Sequence, residues 1–473
     1  MDPRAPNSQA PSQAETFRMN AREQNAAELT DEQKLRVCIE DLTGGRVNSM
    51  RRQVRWRPAW FVEVAQGDET LQIYVRGDRK SDILPFPELR REAEILKVLE
   101  RHGIPVPHVY GMCEDPVAII MQSVAGTRDV SQAASAAERS SVARQFIEAV
   151  AAMHRVPIEQ FAAAGVKQPQ NALEIALAGL EAYWPLYQQN KSRPQPLIEF
   201  AVRWLRDNIP PHRDRASFIQ FDSGQFLFEG GRLTTLYDFE FAMIGDPMTD
   251  LATMRMRDSY ESLGEQFREL CRHYASVTGE PIDVDALRFQ NALFSTVSCM
   301  QIADRIAAPK SGDPHDVYLE WDLALKRVLV LILAECMKVR LEPPRIGPAR
   351  DGGNAALLNM LKDAVEQLQP GDELQAARQK SALNLVECAM RADQWGGSLE
   401  RAARAEAAEF LGEQVAQLPD FEAHLENFVK AAGPEYDERL LRYFAAQIER
   451  RIAVFGPTQI GRSAQRVHLP PIE

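Results

Sequence analysis

Ser217-Phe-Ile-Gln-Phe-Asp222-Ser-Gly-Gln225-Phe-Leu-Phe228 opens the stretch that decides the reading of this chain; Leu236-Tyr-Asp238-Phe-Glu240 and Gly245-Asp246-Pro-Met-Thr-Asp250-Leu-Ala252 complete it. Asp222 and Asp238 each follow a short apolar run, so both carboxylates are expected at strand ends, where the backbone leaves a sheet. One carboxylate suited to accept a hydroxyl proton and one suited to hold Mg2+ are what phosphoryl transfer requires.

Working outward, the 473 residues, 45% hydrophobic and 26% charged, are enough for substantial cores and two or three domains. A formal net charge of −12 argues against nucleic acid or an anionic membrane as partner, because both attract a basic surface. The six cysteines, Cys38, Cys113, Cys271, Cys299, Cys336 and Cys388, show no short paired spacing, so neither a zinc site nor a disulfide framework is expected, and a cytoplasmic setting is the default. Val328-Leu-Val-Leu-Ile-Leu-Ala334 is too short to span a bilayer and reads as a buried helix.

Residues 1–28, rich in Pro, Ser, Gln, Ala and Asn, read as a disordered leader. Residues 29–125 alternate like strands at Trp60–Val64, Leu71–Arg76 and Val117–Met121. One amphipathic helix, Glu88 to His102, carries Leu89, Leu96 and Leu99 on one side and stops at Gly103. Residues 126–342 are mainly helical apart from the short apolar runs that carry the aspartates. Pro343-Pro344 through Gly353 reads as a linker. In 354–456, Leu357, Leu361, Val365 and Leu368, then Leu441, Phe444, Ile448, Ile452 and Phe455, repeat at helical spacing and predict a four- or five-helix bundle. That bundle is expected to dock on the body of the protein or to mediate homo-oligomer formation. Residues 457–473 are expected to form an extended tail.

The stretch from Leu236 to Ala252 resembles the signature of the aminoglycoside phosphotransferase-like family of small-molecule kinases. Supporting motifs run in order: Leu42-Thr-Gly-Gly45, Tyr74-Val-Arg76, Leu89-Arg-Arg-Glu92, Gly103-Ile-Pro-Val-Pro107 and Ala152-Met-His154-Arg-Val-Pro157. The resemblance covers about residues 40–340. It implies an α+β, bilobal protein-kinase-like fold, with a β-rich N-lobe and an α-rich C-lobe, to which the C-terminal helical domain is an addition.

By that resemblance Asp222 stands at the catalytic base, which orients the acceptor hydroxyl and takes its proton; the competing reading is a loop-capping carboxylate. Asp238 stands at the principal Mg2+ ligand, with an ordinary strand-end aspartate as its alternative. Gln220 replaces the family's usual His, and Gln225, in a loop two residues shorter, stands where an Mg2+-binding Asn is expected. Gln225 is either a metal ligand or a polar turn residue. Arg76, paired with Glu92, is the expected phosphate-binding cation, with Lys80 and Arg91 as competitors. Gly44 and Gly45 would let backbone amides approach phosphate, and Gln122 and Val124 would offer backbone groups to adenine. Glu240, Asp246, Asp250 and His154 are read as architectural.

The sequence thus predicts an ATP- and Mg2+-dependent phosphotransferase acting on a small-molecule hydroxyl, with neither nucleic acid nor membrane as partner. A catalytically degenerate kinase fold serving as a nucleotide-binding or scaffold protein is the alternative, for which Gln220, Gln225 and the shortened loop speak.

Overall fold

A computed structural model describes residues 29–53, 57–79, 88–350 and 352–473. The predicted leader lies outside the described residues. Two compact units emerge.

The smaller comprises the described residues up to Arg79 together with 108–123. Its helix Asp31–Thr43 starts at a capping box between Thr30 and Gln33 and ends at Gly44, which adopts φ 67°. Five antiparallel strands follow in the order β1-β2-β3-β5-β4: β1 Arg46–Arg52, β2 Ala59–Gln66, β3 Glu69–Gly77, β4 Val109–Glu114 and β5 Val117–Gln122. Alternation works as the sequence predicts. Val62, Val64, Ile73 and Val75 turn to one face, where they meet Leu35 and Ile39 of the helix.

The larger unit comprises 88–107 and 124–473. Its first helix, Leu89–Arg101, buries Leu89, Leu96 and Leu99 as predicted, and its chain reverses at Gly103 with φ 73°. Two two-stranded sheets, the second a hairpin nested in sequence within the first, carry the aspartates. β6 (Ser217–Ile219) pairs with β9 (Met243–Gly245), and β7 (Phe226–Glu229) pairs with β8 (Arg232–Leu236). Helix Met248–Asp258 follows and is buried along nearly its whole length. Helix His315–Cys336 contains the apolar run predicted for a core, with Val328, Leu329, Ile332 and Leu333 buried. Among the described residues no helix is long and apolar enough to cross a membrane.

The C-terminal helices do not stand apart. One apolar core runs from Leu177 through Leu333 into Phe421, Leu425, Leu441, Phe444 and Ile452. Phe200 meets Phe444 at 5.7 Å between ring centres. Lys191 bridges Glu199 at 2.6 Å and Glu426 at 2.5 Å, and Arg203 pairs with Asp437. Docking on the body is therefore what Leu441, Phe444, Ile448 and Ile452 do.

Two expectations fail. Helix Ala355–Glu366 buries none of its residues, and Leu357 remains 67% exposed. Its periodicity is real, but its apolar stripe has little to pack on. Past Pro457 the chain forms helix Gln459–Arg466 rather than an extended tail. Thr458 caps it by accepting the Gly461 amide at 3.2 Å, and Ile460 and Ala464, one turn apart, are buried. Val467 and Ile472 continue that burial.

Candidate active site

The loop between β6 and β7 is short and tightly turned. Phe221 adopts φ 68° and Gly224 φ 94°. For a bulky Phe the left-handed region is unfavourable, so the surroundings must hold it there. Asp250 does so. Its buried carboxylate accepts the amides of Gln220 (3.0 Å to Oδ2) and Phe221 (2.9 Å to Oδ1), and Oδ2 also meets His154 Nε2 at 3.0 Å. His154 Nδ1 in turn meets the Tyr274 hydroxyl at 2.8 Å. Both residues are architectural, as expected, although Asp250 braces the loop rather than capping its own helix. Asp246 accepts Arg213 through both oxygens, at 2.6 and 2.8 Å, and caps Met248 N.

Asp222 projects from this braced loop with both oxygens engaged. Arg257 Nη2 donates to Oδ1 at 2.6 Å, and Gln225 Nε2 donates to Oδ2 at 2.9 Å. Arg257 Nε also donates to Ser223 O at 3.0 Å, so one guanidinium fixes both loop backbone and carboxylate. Burial raises the Asp222 pKa above the usual carboxylate range; Arg257 opposes this and Asp238 adds to it. Burial pulls the other way on Arg257, but the Asp222 charge holds its pKa above the usual value. A carboxylate tuned upward and oriented from two sides is a better proton acceptor than an ordinary aspartate.

Asp238 follows β8 in the left-handed region, φ 66°. It is set by its neighbours: Tyr237 N donates to Gln225 O at 3.2 Å, Gln220 Nε2 donates to Tyr237 O at 2.6 Å, and Phe239 N donates to Glu92 Oε1 at 3.1 Å. These bonds bring the Asp222 loop and the Asp238 turn together, and the charge coupling between the two carboxylates reflects their closeness. Gln220 thus ties one aspartate's strand to the other's.

Arg257 is the residue that sequence reading misses. A signal for it exists. Asp250, Thr253 and Arg257 lie at i, i+3 and i+7 on one face of helix Met248–Asp258, and all three bond the 220–223 loop, Thr253 Oγ1 by accepting Ser223 N at 3.1 Å. Polar residues at helical spacing along a buried helix mark such a face.

The remaining predicted residues divide as follows. Gln225 directs its amide nitrogen at Asp222, so Oε1 is the atom it presents elsewhere. Glu92 is buried, with one oxygen on the Phe239 amide. Arg91 donates to the carbonyls of Glu240 and Ala242. In the smaller unit, Arg76 is buried on β3 opposite Ala59 and Ile119. Gly44 serves as a helix cap. Gly45 is fixed by packing, since a Cβ there would sit 2.5 Å from Val64 Cγ1. The amides of Gln122 and Ser123 donate to His108 O and Gln72 O, both at 2.8 Å, so neither is available to a base; Val124 is half-buried. Lys80 lies outside the described residues. Among the described residues no three His, Cys, Asp or Glu side chains gather as a metal cage.

A braced aspartate beside a second one, set on two small antiparallel sheets in a helical unit, is the arrangement of a kinase-like phosphotransfer fold. A sequence model of the phosphotransferase enzyme family matches residues 56–288. That region is a phosphotransferase-family domain of the aminoglycoside phosphotransferase-like, kinase-fold type. The crystal structure of a candidate aminoglycoside phosphotransferase from Ralstonia eutropha JMP134 superposes with a TM-score of 0.51 at 19% identity, over 65% of this chain and 99% of that one. Among curated proteins, IBR3 of Arabidopsis thaliana, described as a probable acyl-CoA dehydrogenase, is 21% identical over 256 residues, 48% of this chain and 31% of its own length. Human acyl-CoA dehydrogenase family member 11 is 25% identical over 177 residues, 35% of this chain and 22% of its own. The chain thus spans about a third or less of the curated relatives it matches.

Proposed function

We propose that this protein transfers the γ-phosphoryl group of ATP to a hydroxyl of a small molecule, with Asp222 as base. The observation that supports this best is the hold on Asp222: Arg257 and Gln225 fix its two oxygens while Asp238 stands close enough to raise its pKa. A purely structural aspartate has no use for a neighbouring carboxylate that raises its pKa. A divalent cation held by Asp238 would offset that repulsion.

The donors suit Mg2+, which favours hard oxygen ligands and takes only one or two from protein. Asp238 would hold it through its carboxylate and Gln225 through Oε1. Bound Mg2+ and ATP would supply the phosphoryl group and the charge that offsets its oxygens. The chain's own residues do the rest. Asp222 accepts the acceptor's hydroxyl proton and orients the oxygen, Arg257 keeps its carboxylate aimed, and Asp250 preserves the loop. Gly44, Gly45, Arg76, Glu92, Gln122 and Val124 remain candidates for holding the nucleotide, Gln122 through groups other than its amide.

The test is phosphate transfer from radiolabelled ATP to a panel of hydroxyl compounds. The panel should include aminoglycosides and, because the curated relatives are named for acyl-CoA dehydrogenation, hydroxyacyl thioesters. Asp222→Asn and Asp238→Ala are each expected to reduce turnover by at least about a hundredfold. If either variant turns over like the parent, its assigned role is wrong. If the parent shows neither transfer nor a thermal shift with millimolar Mg2+ and ATP, the scaffold reading replaces this one.

A further inference from the structure

Beside the reacting loops, and lined by none of Asp222, Gln225, Asp238 or Arg257, the larger unit contains a cavity of about 290 Å³. Its apolar surface comes from Tyr183 and Leu186 of helix Ala178–Asn190 and from Phe241 and Met243, just after the Asp238 turn. Small-molecule sites run from roughly 300 to 1,000 Å³, mostly apolar with a few convergent polar groups, so this one lies at the lower end. The walls are stiff: Tyr183 stacks on Phe221 at 6.1 Å and meets Phe241 edge-on at 6.3 Å.

Two cations, Arg91 and Lys167, and two carboxylates, Glu174 and Glu181, line it, but they are not paired with one another throughout. Glu174 faces Lys167 at 3.7 Å and Glu181 faces Arg206 at 3.9 Å, so each carboxylate has its own cation. Arg91 has none among the described residues; its guanidinium donates only to the carbonyls of Glu240 and Ala242. Burial lowers its pKa below the usual arginine value, although Tyr183 and Glu92 act against that shift. Arginine stays protonated nevertheless, so the cavity wall carries a guanidinium with no ion pair among the described residues, beside aromatic and aliphatic surface.

We propose that this cavity binds an amphipathic anion: a small apolar body bearing one carboxylate, phosphate or sulfonate, with the apolar part against Tyr183, Leu186, Phe241 and Met243 and the charge directed to Arg91. Carboxylate and phosphate are matched by a guanidinium through paired N–H donors, and in a largely apolar recess that pairing is poorly screened. An occupant would also touch the segment that leads directly out of Asp238 and Glu240. The site goes beyond the phosphotransfer reading, and it can be tested without any turnover.

Titration calorimetry with decanoate below its micelle concentration, against decylamine as the same body with the opposite charge, tests the proposal. One saturable site for decanoate is expected, with decylamine at least tenfold weaker. Ala182→Trp, on the exposed rim of the cavity, should fill it and weaken decanoate at least tenfold while leaving the melting temperature unchanged. Arg91→Met should abolish the preference for decanoate over decylamine. Because Arg91 also braces the Glu240 and Ala242 carbonyls, Ala182→Trp serves as the arm that does not depend on that bracing. Absence of saturable decanoate binding, equal binding of the two amphiphiles by the parent, or undiminished binding to Ala182→Trp would overturn the assignment.

Discussion

Replacing Arg257 with Met keeps an unbranched apolar stem but removes the guanidinium, and with it the charge that faces Asp222. In the folded protein Arg257 is 10% and Asp222 25% exposed, so the substitution strands a largely buried carboxylate beside Asp238. Breaking a fully buried pair from one side costs about 3–5 kcal/mol. With a quarter of Asp222 still hydrated, about 2–3 kcal/mol is the expected loss at pH 7. The pH dependence identifies the cause. Asp222 already has a raised folded pKa, and losing the one influence that lowers it raises it further. A carboxyl raised on folding favours the native state at low pH and costs stability as pH climbs through its folded value. The gap between parent and variant, followed by urea denaturation, should therefore be smallest at acid pH and widen as pH climbs through the folded value of Asp222. The acidic limb of the turnover profile should move to higher pH, since the base must be ionised to work. Asp222→Asn/Arg257→Met, which removes both charges, should recover most of the lost stability. A pH-independent gap, or a double variant no more stable than Arg257→Met, would refute the electrostatic account and leave only packing.

Asp250→Ala removes the acceptor of the Gln220 and Phe221 amides and the partner of His154, and should cost about 3–5 kcal/mol with collapse of turnover, read by denaturation midpoint and activity together. Truncation after Arg466 removes buried Val467 and Ile472 and the Pro470 carbonyl to which buried Arg255 donates at 2.7 Å. Two apolar side chains at about 1.5–3 kcal/mol each predict a loss of about 3–6 kcal/mol, measurable by calorimetry. Gln225→Leu deletes both the donor to Asp222 and the amide oxygen; turnover should fall at least about tenfold, and a rise in the Mg2+ concentration needed for half-maximal rate would separate the metal role from simple bracing of Asp222.

Much of the fold is legible in the sequence because its signals are local. Alternation at Trp60–Val64 and Leu71–Arg76 yields β2 and β3, and the Leu89, Leu96, Leu99 stripe with Gly103 yields the helix and its stop. Asp222 and Asp238 stand out because each follows an apolar strand. Arg257 is not legible in that way. Its partner is 35 positions away, and only its helical spacing from Asp250 and Thr253 separates it from Arg255, whose side chain instead binds Glu335 and Pro470 O. Helix Gln459–Arg466 escapes notice because Gly456-Pro457 looks like an end, whereas Thr458 starts a new helix that tertiary burial of Ile460 and Ala464 secures.

Local patterning along the chain sets the succession of strands and helices and places two carboxylates at strand ends, because side-chain period and turn chemistry act over a few neighbouring residues. Long-range packing set the grip of Arg257 and Gln225 on Asp222, the merging of the C-terminal helices into the larger unit's core while helix Ala355–Glu366 leaves its stripe exposed, and the position of Arg91 on a cavity wall with no ion pair among the described residues. These outcomes depend on which distant surfaces meet and which charges lose their water when they do, and neither is encoded in any short stretch of chain.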